Sequence, residues 1–393
     1  MQYCPHCMQL ASEDPFCSNC GKPIAYTPKE HQLPPGKILE AGKENAYLLG
    51  AALGQGGFGI TYVALEKSVN RRVAVKEYFP VQCCQRMENG QVIPKPGMDS
   101  VFQGGRKSFL EEARMLSRQK SISSVVEVMD YFEKNGTAYL VMEFLDGTTL
   151  QQKIMKEGVM QPEKLLGKLP KLLTDMEKLH RSGIIHRDIS PDNVMWMPDD
   201  TLKLLDFGCA RSMEDGKSMT VQLKHGFAPV EQYMTRGQGP WTDVYALSAT
   251  VYYCLTGKVP PMAPERLEND KMLTPSALGV QMRAEQESTL MWGLTVQPKA
   301  RPVSMEVFKT RMFDTLKAGN FAVEEAVMEK EEKTGYNESN VPVNTHYEQM
   351  QQNQPGENVP QQPPPRPQNK LGMVIAAAVA LIVAIILKMI LSY

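Results

Sequence analysis

Residues 186–208 constrain this chain more than any other stretch. They read His-Arg-Asp-Ile-Ser-Pro-Asp-Asn from His186 to Asn193, and Leu-Leu-Asp-Phe-Gly from Leu204 to Gly208. Asn193 follows Asp188 by five positions and Asp206 follows it by eighteen. Short apolar runs flank these groups, so each falls on a stiff loop between strands. One carboxylate can accept a hydroxyl proton, while an amide and a second carboxylate can each hold a metal ion. Phosphoryl transfer asks a protein mainly for positioning and charge neutralisation, and this grouping suits it.

The stretch resembles the protein-kinase superfamily, and within it the bacterial, eukaryotic-like (Hanks-type) serine/threonine kinases. The resemblance covers about residues 46–316. It implies an α+β, bilobal fold with a β-rich small lobe over 46–145 and a helical large lobe over 146–316. It also implies ATP between the lobes, Mg²⁺ (or Mn²⁺) at Asn193 and Asp206, protein Ser/Thr hydroxyls as substrates, and autophosphorylation. The competing class is a pseudokinase scaffold that binds partners through its N-terminal cysteines and a proline tract.

Leu53-Gly-Gln-Gly-Gly-Phe-Gly59 precedes the apolar, β-branched run Ile60–Leu65. Gly54, Gly56 and Gly59 would let backbone N–H groups approach phosphate oxygens with no Cβ in the way. Leu53, Gly57 and Thr61 complete this candidate nucleotide loop, Thr61 standing where the family pattern has Val. Lys76 ends a strand 22 residues after Gly54. By resemblance it pairs the phosphates, with Ala74 against the adenine. Backbone groups of Glu143 and Leu145 would bond the base edge, with Met142 guarding the back of the pocket. A helix with Phe109, Ala113 and Leu116 on one face offers Glu112 as counter-ion to Lys76, with Glu111 the fallback. The intervening excess, 78–103, reads as an insertion: an inert loop, or one that holds the helix in or out.

In the large lobe, 165–180 has helical spacing. Two departures from the family pattern belong together. Ser190 stands two residues after Asp188, where such kinases carry Lys. Lys224 stands where they carry the Thr that touches it. Lys224 is therefore expected to deliver, from the activation segment, the charge that the loop lysine would bring to the γ-phosphate. Arg187 is expected to meet a phosphorylated Thr220, Ser218 or Ser212. Glu231 and Arg301 are expected to form a buried pair, and Asp243 to hold the catalytic-loop backbone.

Residues 1–26 carry Cys4, Cys7, Cys17 and Cys20 as two CxxC turns and resemble a zinc ribbon. So short a segment would need Zn²⁺ to fold; a redox role for the thiols is the alternative. Residues 27–45 read as a linker. At the other end, 317–370 is rich in Gln, Asn and Pro and reads as a disordered spacer. Residues 371–391 are apolar with one charge, Lys388, and about 30 Å long as a helix, enough for a single membrane span. Arg366 and Lys370 on its near side place the other domains in the cytoplasm. No extracellular sensor is expected. Gly372, Ala376, Ala380 and Ala384 recur every fourth residue, a stripe that could pair two such helices or belong to a plain anchor. The net charge of −1 gives no global field for nucleic acid, and none is expected as a partner.

Overall fold

In this computed structural model the described residues are 3–43, 45–205, 223–234 and 237–314. Asp206, the activation-segment hydroxyls at 212–220, the spacer and the apolar run 371–391 lie outside them. Among the described residues no helix is long and apolar enough to cross a membrane.

The small lobe is one antiparallel sheet of β1 (Ile38–Ala41), β2 (Asn45–Gln55), β3 (Gly59–Glu66), β4 (Arg71–Tyr78) and two later strands. β3 and β4 are buried along most of their length, which their apolar, β-branched composition suits. A small hairpin, β5 (Cys84–Arg86) with β6 (Val92–Pro94), comes next, then α1 (Asp99–Leu116). β7 (Val128–Lys134) and β8 (Thr137–Glu143) complete the six-stranded order β1-β2-β3-β4-β8-β7. Register sets Thr61 opposite Lys76, Val63 opposite Ala74, and Ala74 opposite Met142. Residues directly opposite share a face, so these line one side of the sheet. Phe102, Gly105, Phe109, Ala113 and Leu116 form the buried stripe of α1, and Phe102 and Phe109 pack around Tyr78.

Two expectations need correction here. The linker does not run to residue 45. Ile38–Ala41 pairs in register with β2, and Leu33 is buried with its N–H on the Tyr62 hydroxyl at 2.9 Å. Nor is 78–103 an inert loop. Cys83, Cys84, Val92 and Phe102 enter the core, and residues 99–103 already belong to α1. The anchor is Glu77, fully buried on β4. It accepts both guanidinium nitrogens of Arg86 (2.6 and 3.0 Å) and the hydroxyls of Tyr62 and Tyr139. A buried carboxylate without such partners would be strongly destabilising, so the hairpin that delivers Arg86 is part of the lobe.

The large lobe begins with β9 (Thr148–Thr149), α2 (Leu150–Glu157), α3 (Pro162–Leu166) and α4 (Leu169–Arg181). The single helix expected over 165–180 is broken. Pro170 has no N–H and its ring would meet the carbonyl of Leu166, so α4 starts afresh with Pro170 in its first turn. β10 (Val194–Trp196) and β11 (Leu202–Leu204) hold the catalytic loop on one side. Beyond it come α5 (Val230–Tyr233), α6 (Pro240–Thr256), α7 (Ala263–Glu268), α8 (Ala284–Gly293) and α9 (Met305–Phe313). α6 is buried almost all round and forms the lobe's central support.

Candidate active site

The catalytic loop is held from beneath by one carboxylate. Asp243, at the start of α6 and fully buried, accepts the backbone N–H groups of His186 and Arg187 at 2.8 Å each, and His180 Nε2 at 2.8 Å. Burial alone would raise its pKa. The His180 hydrogen bond and the neighbouring histidines and amides outweigh that and hold it below the ordinary range. Arg187 has φ +66°, a conformation a non-glycine residue keeps only when its surroundings fix it. Its N–H is held by Asp243 and its carbonyl by Gln232 Nε2 at 2.7 Å. The Asp188 N–H reaches His186 Nδ1 at 3.3 Å, so His186 carries its proton on Nε2 and donates to the Leu205 carbonyl at 2.7 Å.

This frame presents Asp188, whose side chain is 26% exposed. Asn193 Nδ2 donates to the Asp188 carbonyl (2.8 Å) and to its Oδ2 (2.9 Å). The Asn193 amide oxygen is thus the atom left for a cation. Lys224 Nζ donates to Ser190 Oγ at 2.7 Å and lies 3.8 Å from Asp188 Oδ1. The two departures in the sequence therefore meet in space, and an ammonium group stands beside the Asp188 carboxylate. The backbone of 224–228 is tied in a turn by the Lys224 carbonyl, which accepts from Phe227 and Ala228. Glu231 and Arg301 form the expected buried pair, bidentate at 2.7 and 3.0 Å, with Thr242 Oγ1 on Glu231 as well.

Across the cleft, Lys76 and Thr61 face each other on β4 and β3, and Ala74 lies between Val63 and Met142. Glu112 is half-buried on α1, whereas Glu111 is exposed and within 3.8 Å of Lys107. The Gly56 N–H closes a turn onto the Gly59 carbonyl. A Cβ on Gly59 would stand 2.5 Å from the Glu77 carbonyl, a packing reason for that glycine. Gly54 and Gly56 have negative φ and open space around them, and Leu53 is 51% exposed. Neither packing nor dihedral demands glycine at those two positions, so the surroundings fit a phosphate-bearing ligand brought close to the backbone. Glu143 ends β8, its carboxylate accepting from Lys203 and from the Glu127 N–H. Leu145 follows, half-buried.

Cys4, Cys7, Cys17 and Cys20 converge, all four Sγ atoms lying within 4.8 Å of one another. Cys4–Cys20 and Cys7–Cys17 are each 3.7 Å apart. Four thiolates at ~2.3 Å from one tetrahedral ion would stand ~3.8 Å apart, so the donor set fits zinc. His6 is not in the cluster; its ring meets Tyr26 edge-on. His180, Gln232 and the Glu77–Arg86 pair were not read as part of the machinery from sequence. Glu77 carried a signal: a carboxylate inside an otherwise buried strand requires a partner.

The family model described as protein kinase domain matches residues 47–313. Sperm motility kinase 2B of Mus musculus is 30% identical over 270 residues, 66% of this chain and 50% of its own length. Serine/threonine-protein kinase PknA of a Nostoc species is 33% identical over 55% of this chain and 38% of its own length. The chain thus spans about half or less of these curated relatives. A solved structure titled PpkA-294 apo form is 33% identical, covers 72% of this chain and 99% of that one, and superposes with a TM-score of 0.61. The family match spans both lobes, from β2 to α9, and the chain belongs to the protein kinase domain family.

Proposed function

We propose that the chain is an ATP-dependent serine/threonine protein kinase, and that the observation carrying this is the Asp188–Asn193–Lys224 cluster opposite Lys76 and an open glycine loop. Bound Mg-ATP supplies the transferable phosphoryl group and the cations that screen it. Asn193 and Asp206 are the residues to hold those cations, and the Gly54–Gly59 backbone with Lys76, paired to Glu112, the phosphates. Asp188 accepts the proton of the substrate hydroxyl. Asn193 keeps that carboxylate oriented, and Lys224, beside it, supplies the positive charge for the γ-phosphate, where negative charge develops. The named relatives support serine and threonine as acceptors.

The sulfur spacing supports a structural zinc in residues 1–26. The apolar run 371–391 supports a single-pass membrane anchor with the kinase domain in the cytoplasm. The small-residue stripe from Gly372 to Ala384 supports pairing of two chains and phosphorylation in trans, including of the activation segment. These readings rest on sequence and cysteine geometry.

The test is radiolabelled ATP with the full chain in detergent and a generic protein acceptor, followed by phosphoamino-acid analysis. Label on serine and threonine is expected; label on tyrosine alone, or none, would contradict the proposal. Metal analysis of the same preparation should give one zinc per chain.

A further inference from the structure

The cysteine turns are seated on the small lobe. Met8, just past the first CxxC turn, is 3% exposed and packs on Val63 and Leu65, with Tyr3, Leu48 and Phe144 around them. The Ala51 N–H donates to the Pro5 carbonyl at 2.6 Å, so the peptide between two cluster cysteines is bonded to β2. The seat is cut by Gly50. A Cβ there would stand 2.4 Å from the Pro5 oxygen, 2.6 Å from Met8 Sδ and 2.8 Å from Val63 Cγ1. Gly50 has no positive φ, so glycine is required there for room rather than for backbone conformation.

The place where Met8 lands gives this contact a functional meaning. Val63 is the cross-strand partner of Ala74, and Ala74 of Met142, all on the face that carries Lys76. Phe144 lies between Glu143 and Leu145, the two residues expected to meet the base edge. Met8 thus packs on the residue directly beside the adenine ceiling, and Phe144, in the middle of the hinge, packs against the same cluster. Apart from this seat, the turns have only a small core of their own: the cysteines with Ala11 and Ile24. So small a core does not hold its shape without an ion.

We propose that the metal-held turns are a positioning element for the nucleotide: Met8, in the notch at Gly50, fixes Val63 and Phe144, and through them Ala74 and the hinge. This deepens the kinase reading and rests on it and on the zinc reading. Metal and nucleotide then bind with positive coupling, and such coupling is reciprocal.

The test uses the full chain and two titrations. Affinity for a fluorescent ATP analogue is measured with zinc bound and after its removal by a zinc-selective chelator in excess Mg²⁺. Zinc affinity is measured by competition with a chromophoric chelator, with and without ATP. Zinc is expected to tighten nucleotide binding about 5-fold or more, and ATP to tighten zinc binding by the same factor. Gly50→Ala keeps all four cysteines and its zinc but should bind nucleotide as the zinc-free wild type does. Met8→Ala should shift in the same direction and Met8→Leu should restore coupling, an independent arm if Gly50→Ala does not fold. Equal nucleotide affinity with and without zinc in the wild type, or coupling that survives in Gly50→Ala and Met8→Ala, overturns the inference alone. A chain that binds no zinc removes it together with the zinc reading, and one that binds no nucleotide removes it with the kinase reading.

Discussion

Substitution of Lys224 isolates the least ordinary feature of the site. Its Nζ lies 3.8 Å from Asp188 Oδ1, with the two side chains 33% and 26% exposed. At that distance the bare attraction is about 4 kcal/mol for an effective dielectric near 20 and about 1 kcal/mol in water. Partial exposure puts the working value between these limits. Removing one charge-stabilising donor from such a site lowers kcat by roughly 10²–10³-fold. Lys224→Ala should therefore lose about that much in steady-state kcat while its ATP affinity stays near wild type. Ser190 accepts from the same ammonium at 2.7 Å and acts only by aiming it. Ser190→Ala should lower kcat about tenfold, equivalent to about 1–1.5 kcal/mol for one hydrogen bond. Made in the Lys224→Ala background, it should do almost nothing further. Exchanging the pair, Ser190→Lys with Lys224→Ser, should recover most of the loss, because charge and hydroxyl remain within the same contact. Wild-type turnover in Lys224→Ala, or an equal penalty for Ser190→Ala with and without the lysine, would refute the reasoning.

Other outcomes follow from the same contacts. Arg86→Ala leaves Glu77 buried without its guanidinium, and should lower stability by about 3–5 kcal/mol, read as a shifted urea midpoint; an unchanged midpoint would show that the hairpin is not an anchor. Asp175 on α4 accepts from Lys171, Lys178 and the Ser124 N–H. Burial raises its pKa, but the two lysines and Ser124 outweigh this and bring it to about 2. Its contribution is complete above the unfolded value of about 3.9 and is lost as pH falls through 2. Asp175→Asn should flatten the acid limb of the stability curve between those values, by at most about 2.6 kcal/mol; an unaltered limb would contradict the assignment.

The catalytic loop was legible because its function needs particular atoms at fixed separations, which leave a residue-by-residue trace from His186 to Asn193. The buried stripe of α1 was legible from its helical period, and the Glu231–Arg301 pair from the family resemblance, supported by the rule that a buried charge requires its partner. The meeting of Lys224 with Ser190 was read from two substitutions that make sense only together. What escaped was set by tertiary packing. β1 is four residues long and gains its meaning from its register with β2. Residues 78–103 read as an insertion because the stretch from Lys76 to Glu112 is longer than the family pattern needs, yet Arg86 and the two buried cysteines make it part of the core. Gly50 belongs to no motif in the sequence. Only the positions of Pro5, Met8 and Val63 show that no larger residue fits there.

The most direct measurement is single-turnover transfer of the ATP γ-phosphoryl group by Asp188→Asn beside wild type, with nucleotide affinity recorded on the same samples. The account predicts unchanged nucleotide binding, because Asp188 faces the acceptor hydroxyl, together with a rate reduced by about 10²–10⁴-fold through loss of the proton acceptor. Equal rates would place the chemistry elsewhere and contradict the account.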